Sequence, residues 1–236
     1  MLLKREQPGF FLAEGRRMGM KAVVGTVYGV LLNFQGKYDE IKGQMSCPPY
    51  QKEPEAPILY IKPRNTVSEN GRPIPLPKDV SELEIGATLG VVIGEKATKV
   101  TYEKALTYIA GYVVVNDVSI PHHHYFRPAL KQQARDGFCP VGSFVEQDQV
   151  EDPGQLDIRV FVNGKLLQVT STRNLIRSIP QLLVDITEFM TLYEGDLLLV
   201  GTAEGAPLAK EGDIVRIEIE SIGSLENPIV AEWRNL

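Results

Sequence analysis

Apolar positions fall in short runs whose spacing changes along the chain. From Ala22 to Asn33 apolar residues dominate, interrupted by Gly25 and Gly29. This predicts a strand in which glycine marks a bulge or a close backbone approach. Residues 35–56 are polar and Pro-rich and predict a loop or a short helix. Ile58 to Ile61 predicts a second strand, ending at Lys62-Pro63. Pro73, Pro75 and Pro77 predict an extended connection, since each fixes its own φ and biases its predecessor away from helix. Leu89 to Ile93, closed by Gly94, and Gly111 to Asn116 predict two more strands. A helix over Thr101–Ile109, with Thr101 as N-cap, is predicted between them.

A short helix is predicted over Arg127–Arg135. Ile158–Val162 and Lys165–Gln168 flank Asn163-Gly164, a strong signal for a tight hairpin. Leu175, Ile179, Leu182, Leu183, Ile186, Phe189 and Met190 are spaced as on one helix face, and Pro180 predicts a break or a late start. Leu197–Val200 and the alternating run Ile214–Glu220 close the pattern, the latter with one buried and one wet face. Strands outnumber helices, and the spacing suits one β-rich α+β domain.

Composition narrows the function classes. A length of 236 residues permits one or two domains, and β-rich folds of this size are often single. The formal charge of −5 argues against a nucleic-acid scaffold, which carries a basic stripe. Cys47 and Cys139 are far apart, which excludes a zinc knuckle and fits a reducing cytoplasm. No apolar run reaches the roughly 18 residues that span a membrane. Residues 1–20 are read as an N-terminal extension: Lys4, Arg5, Arg16 and Arg17 surround Phe10-Phe11, without the apolar core of a secretory signal. The domain proper is placed at residues 21–236.

Four segments offer chemistry. Asn116-Asp117-Val118-Ser119 puts a carboxylate at the end of an apolar strand, where it either meets a ligand or caps the next turn. His122-His123-His124 holds every histidine, but consecutive residues point different ways, so a solvated loop is favoured over a zinc site. Arg127, Lys131, Arg135 and Asp136 are either a salt-bridged surface helix or a cradle for carboxylates, which Arg binds bidentately. Gly201-Thr202-Ala203-Glu204-Gly205 follows a strand and lets backbone N–H groups and the Thr202 hydroxyl approach a ligand.

In their order and spacing, Ile61-Lys62-Pro63-Arg64-Asn65-Thr66, Val91-Val92-Ile93-Gly94, Asn116-Asp117-Val118-Ser119, Arg135-Asp136-Gly137-Phe138-Cys139-Pro140, Val162-Asn163-Gly164, Gly195-Asp196 and Gly201-Thr202 resemble the fumarylacetoacetate hydrolase family. The resemblance runs from about Gly25 to Trp233. It implies a mixed α/β, β-rich fold: a mixed β-sheet roll with short flanking helices and the site in its mouth. Lys62 to Val67 and Phe126-Arg127-Pro128-Ala129 resemble the N-terminal half of a two-half branch of the family. That branch isomerises 2-hydroxyhepta-2,4-diene-1,7-dioate and decarboxylates 5-oxopent-3-ene-1,2,5-tricarboxylate. The implied substrate is a small dicarboxylic keto acid. The implied cofactor is Mg²⁺ or Mn²⁺, which chelates the ketone and carboxylate oxygens. The implied assembly is a homodimer, or a heterodimer with a family relative.

This sequence departs from the pattern at the metal. Active members carry Glu-x-Glu five and three residues before the valine matching Val91, which places the pair on Gly86 and Thr88. Asp117 is the surviving ligand. Glu82 and Glu84 are near in sequence, but seating them needs a strand shift that breaks the pairing. The family's His-x-x-Glu falls on Lys37 and Glu40, and its lysine before Asp136 falls on Gln133. Asp117, Glu40 and Lys37 are therefore the catalytic candidates, while Lys62, Arg127, Arg135, Asp136 and Thr202 are the substrate-binding ones. Three readings follow: an isomerase/decarboxylase, a non-catalytic or half-catalytic subunit pairing with a metal-bearing relative, and a plain dicarboxylate-binding protein.

Overall fold

A computed structural model describes residues 25–122, 125 and 127–232. The proposed extension at 1–20 lies outside the described residues. In chain order the elements begin β1 (Val27–Leu31), α1 (Gln35–Met45), β2 (Ile58–Lys62), β3 (Val67–Glu69), β4 (Ile74–Leu76), β5 (Leu83–Glu84), β6 (Ala87–Ile93) and β7 (Ile109–Asn116). They continue α2 (Leu130–Gln133), β8 (Cys139–Glu146), β9 (Asp157–Val162), β10 (Lys165–Ser171), α3 (Ile179–Phe189), β11 (Leu197–Leu199), β12 (Leu208–Ala209), β13 (Ile214–Ile219) and β14 (Gly223–Ala231).

A seven-stranded sheet runs β2-β1-β11-β6-β7-β8-β3, and a five-stranded sheet runs β10-β9-β13-β14-β4. A two-stranded ribbon pairs β12 with β5. Pairing is mixed: β1 with β11 and β3 with β8 are parallel, while β6 is antiparallel to both its neighbours. All seven residues of β6 are buried because both faces of the larger sheet are covered. Leu89, Val91 and Ile93 face a large core shared with the second sheet and α3. The opposite face of the curled sheet gathers a smaller cluster of Val27, Val92, Val113, Val115, Cys139, Val141, Leu197 and Leu199.

Pro180 does not break α3; it sits in its first turn, where a missing N–H costs nothing, and the Ser178 hydroxyl accepts from Gln181 N–H as the cap. Ile179, Leu182, Leu183 and Ile186 form the buried stripe. Asn163 and Gly164 take φ of 51° and 77°, as the tight hairpin requires. Ile74 and Leu76 make β4 a strand within the proline-rich connection, at the sheet edge where Pro75 is tolerated.

Two expectations are corrected. Residues 102–108 form a 3-10 segment, and the Thr101 side chain caps nothing. The helix expected over Arg127–Arg135 shortens to Leu130–Gln133. Of the loop or short helix expected after Phe34, the helix forms, as the 11-residue α1. No helix among the described residues is long and apolar enough to cross a membrane.

Candidate functional site

β2 brings two polar tips to one face, because residues two apart on a strand point the same way. These are Tyr60 and Lys62, paired across to Gly29 and Val27 of β1. Gly29 is required there: a Cβ would lie 2.0 Å from Tyr60 Cζ. The ring crosses over β1's backbone, and the Tyr60 hydroxyl donates to Asp117 Oδ2. Lys62 Nζ sits 2.5 Å from Asp117 Oδ1 and also donates to the carbonyls of Val118 at 3.0 Å and Phe138 at 2.7 Å. All three ammonium protons therefore have protein partners. The Lys62 side chain is fully enclosed, and Asp117 nearly so.

Burial dominates the titration of the surroundings. It pushes the Tyr60 hydroxyl well above its ordinary value, and the Asp117 charge adds to this. Burial pushes the Cys139 thiol up to about 12, the Lys62 charge opposing and the Asp117 charge assisting.

The positions matched to the family's glutamates flank this trio. At Gly86 even a Cβ would lie 2.3 Å from the Asp117 carbonyl oxygen and 3.0 Å from Thr202 Cγ2. Thr88 is wholly buried within β6. Asp117 Oδ2 accepts from the Tyr60 hydroxyl, Oδ1 meets only the Lys62 ammonium as an ion pair, and among the described residues no three His, Cys, Asp or Glu groups gather as a metal set. The donor set present here does not fit a divalent ion.

A second cluster lies at the start of α1. Lys37 Nζ is 3.4 Å from Glu40 Oε2, and its side chain is 16% exposed. Burial alone would lower the Lys37 pKa, but the Tyr125 hydroxyl, Glu84 and Glu40 outweigh it and raise the value. Burial raises the Tyr125 pKa, with Lys37 opposing. Tyr125 N–H donates to Tyr50 Oη, which ties this loop to the segment after α1. The Thr202 loop joins the two clusters. Thr202 packs at Gly86, and the Glu204 carboxylate lies against Gly36 in the first turn of α1.

The remaining candidates separate. Lys62, expected to hold a substrate carboxylate, has its charge satisfied inside the protein. Arg135 is turned to Glu232, with one nitrogen 3.1 Å from both carboxylate oxygens. Asp136 is exposed and accepts from Asn65 Nδ2 at 2.7 Å. Arg127 is exposed on the loop before α2. His122 Nδ1 lies 3.0 Å from the Ile120 carbonyl, while His123 and His124 fall outside the described residues. Sequence reasoning missed Tyr60 and Tyr125. The i, i+2 spacing of Tyr60 and Lys62 on an apolar strand was the available signal for the first.

The sequence matches the fumarylacetoacetate (FAA) hydrolase C-terminal domain over residues 26–230. The chain belongs to the fumarylacetoacetate hydrolase family. It is 41% identical over 208 residues to the 4-hydroxyphenylacetate degradation bifunctional isomerase/decarboxylase of Escherichia coli, covering 88% of this chain and 48% of that protein. The chain thus spans about half the length of that relative. Among solved family structures, 5-carboxymethyl-2-hydroxymuconate delta-isomerase from Mycobacterium smegmatis superposes with a TM-score of 0.78 at 30% identity, covering 92% of this chain and 83% of that one. Maleylpyruvate hydrolase from Sphingobium sp. SYK-6, in complex with manganese(II) and pyruvate, superposes with a TM-score of 0.73 at 26% identity, covering 88% of this chain and 71% of that one. The β-rich, mixed fold with a curled sheet and short helices is that of the family.

Proposed function

We propose that the chain is an isomerase/decarboxylase-type enzyme of 4-hydroxyphenylacetate breakdown, acting on a small dicarboxylic keto or enol acid by proton transfer without a divalent ion. The observation that carries this reading is the closure of Asp117 by Tyr60 and Lys62, next to a Gly86 that leaves no room for a carboxylate. Keto–enol interconversion needs a positioned acid and base. Lys37, with its raised pKa, serves as a protonated donor toward a substrate carboxylate or enolate oxygen. Asp117 and Lys62 act as a fixed dipole behind the site, and the Thr202 hydroxyl lines it. Arg127 stays a candidate for the distal carboxylate.

A second reading is supported by the span of about half the bifunctional relative. Here the chain is a non-catalytic or half-catalytic subunit whose partner is a metal-bearing relative, in a heterodimer rather than a homodimer. Calorimetry with MnCl₂ and MgCl₂, beside an assay with 2-hydroxyhepta-2,4-diene-1,7-dioate and 5-oxopent-3-ene-1,2,5-tricarboxylate, separates the readings. Turnover that survives EDTA, with no heat of metal binding, supports the first. Turnover that appears only with the metal-bearing relative supports the second, and stoichiometric metal binding by the chain alone overturns the metal-free mechanism.

A further inference from the structure

A proton-transfer site needs a base, and the candidates described so far are committed elsewhere. Asp117 is closed by Lys62 and Tyr60, Lys37 is protonated, and Glu40 and Glu84 both lie in the field of the Lys37 ammonium. Glu204 is different. Its Oε2 is buried and meets no hydrogen-bond donor among the described residues, and its carboxylate enters no ion pair there. Buried carboxylate oxygens are ordinarily satisfied; Asp117 Oδ1, also without a hydrogen bond, at least faces the Lys62 ammonium, whereas Glu204 Oε2 has no such cation among the described residues and calls for an account.

Its surroundings are arranged around it. Gly36 makes the room, since a Cβ at that position would lie 2.2 Å from Glu204 Cδ. α1 has no side-chain cap and no acidic residue in its first turn, and a helix start accommodates a negative charge. Gln168 Nε2 donates to the Glu204 carbonyl at 2.6 Å and fixes the loop from the other side. Two residues earlier, Thr202 packs at Gly86 beside Asp117. Glu204 therefore stands between the enclosed trio and the Lys37 cluster.

We propose that Glu204 is the general base, which rests on the isomerase reading above. Its carboxylate takes the proton from the enol hydroxyl of the dienol. The O–H electron pair stays on oxygen and gives the conjugated dienolate, whose oxygen pair reforms the C=O as the double bond shifts along the chain. The protonated Glu204 then returns that proton to the far carbon of the enolate, so no other reactant is consumed.

The test follows 2-hydroxyhepta-2,4-diene-1,7-dioate by loss of dienol absorbance and by deuterium uptake in D₂O. Glu204→Gln is expected to lower kcat by about 10²–10⁴-fold, with KM within a few-fold and the unfolding midpoint unchanged. Glu204→Ala is expected to regain part of its rate on addition of formate or acetate. A Glu204→Gln variant within about threefold of the parent chain overturns the proposal while the isomerase reading stands. Loss of activity together with the unfolding midpoint, and no rescue of Glu204→Ala, makes Glu204 a strut for α1 and also overturns it. A parent chain that neither isomerises nor exchanges overturns the isomerase reading and the base with it.

Discussion

The trio at Tyr60, Lys62 and Asp117 and the cluster at the start of α1 use the same chemical groups, a lysine, a carboxylate and a tyrosine, to opposite ends. In the first, strands and strand ends supply every group, and the ammonium protons are spent on one carboxylate and two carbonyls. In the second, a helix turn and a loop supply them, and the ion pair at 3.4 Å has a half-exposed glutamate. The difference is solvent. An enclosed pair that loses one member leaves a stranded charge, while a pair at the rim is repaid by water. The enclosed unit thus fixes geometry, and the rim is free to meet a ligand.

The hardest way to break that contrast is Lys62→Met, which strands Asp117 in the interior. A loss of about 3–5 kcal/mol in urea unfolding is expected, with part recovered when Asp117→Asn is added. Tyr60→Phe removes a hydrogen bond to a charged acceptor and should cost about 1.5–3 kcal/mol in the same assay. Gly29→Ala drives a methyl into the Tyr60 ring and should cost about 1–3 kcal/mol. Alkaline titration sharpens the comparison. Cys139, held near 12 against 9.0 when free, contributes stability fully present below about pH 9 and lost as pH rises toward 12. Cys139→Val should therefore flatten the fall in unfolding free energy above pH 9, by about 1 kcal/mol at pH 10. The rim should respond least: Glu40→Gln is expected to change stability by under about 1 kcal/mol, read from the thermal midpoint at low and high salt.

Elements with an unbroken period were legible. The apolar runs of β6 and β7, the stripe of α3 and the Asn163-Gly164 turn are each set by neighbours within a few residues. β14 was not predicted as a strand, because Ser224, Glu226 and Asn227 dilute its apolar positions and its burial comes from pairing with β13 and β4. The site was legible as a set of residue types and illegible as a set of contacts. Lys62 reads as a free cation until the carbonyls of Val118 and Phe138 arrive from 56 and 76 residues away. Arg135 reads the same way until Glu232 arrives from 97 residues away. Glu204 lay in a glycine turn, and only its packing against Gly36 shows that its carboxylate is held at a helix start.

The parallel pairing of β1 with β11 has a kinetic consequence. Thr26 N–H donates to Asp196 Oδ1 at 2.7 Å across 170 residues, and Val27 pairs with Leu197. At ribosomal speeds of about 5–20 residues per second, roughly 10–30 s separate the emergence of these partners. Through that interval β1 and β6 lack the strand that lies between them, and their apolar faces are open to chaperones or to other nascent chains. Assembly of the trio is thus a late, non-local event, the class of contact that slows folding most.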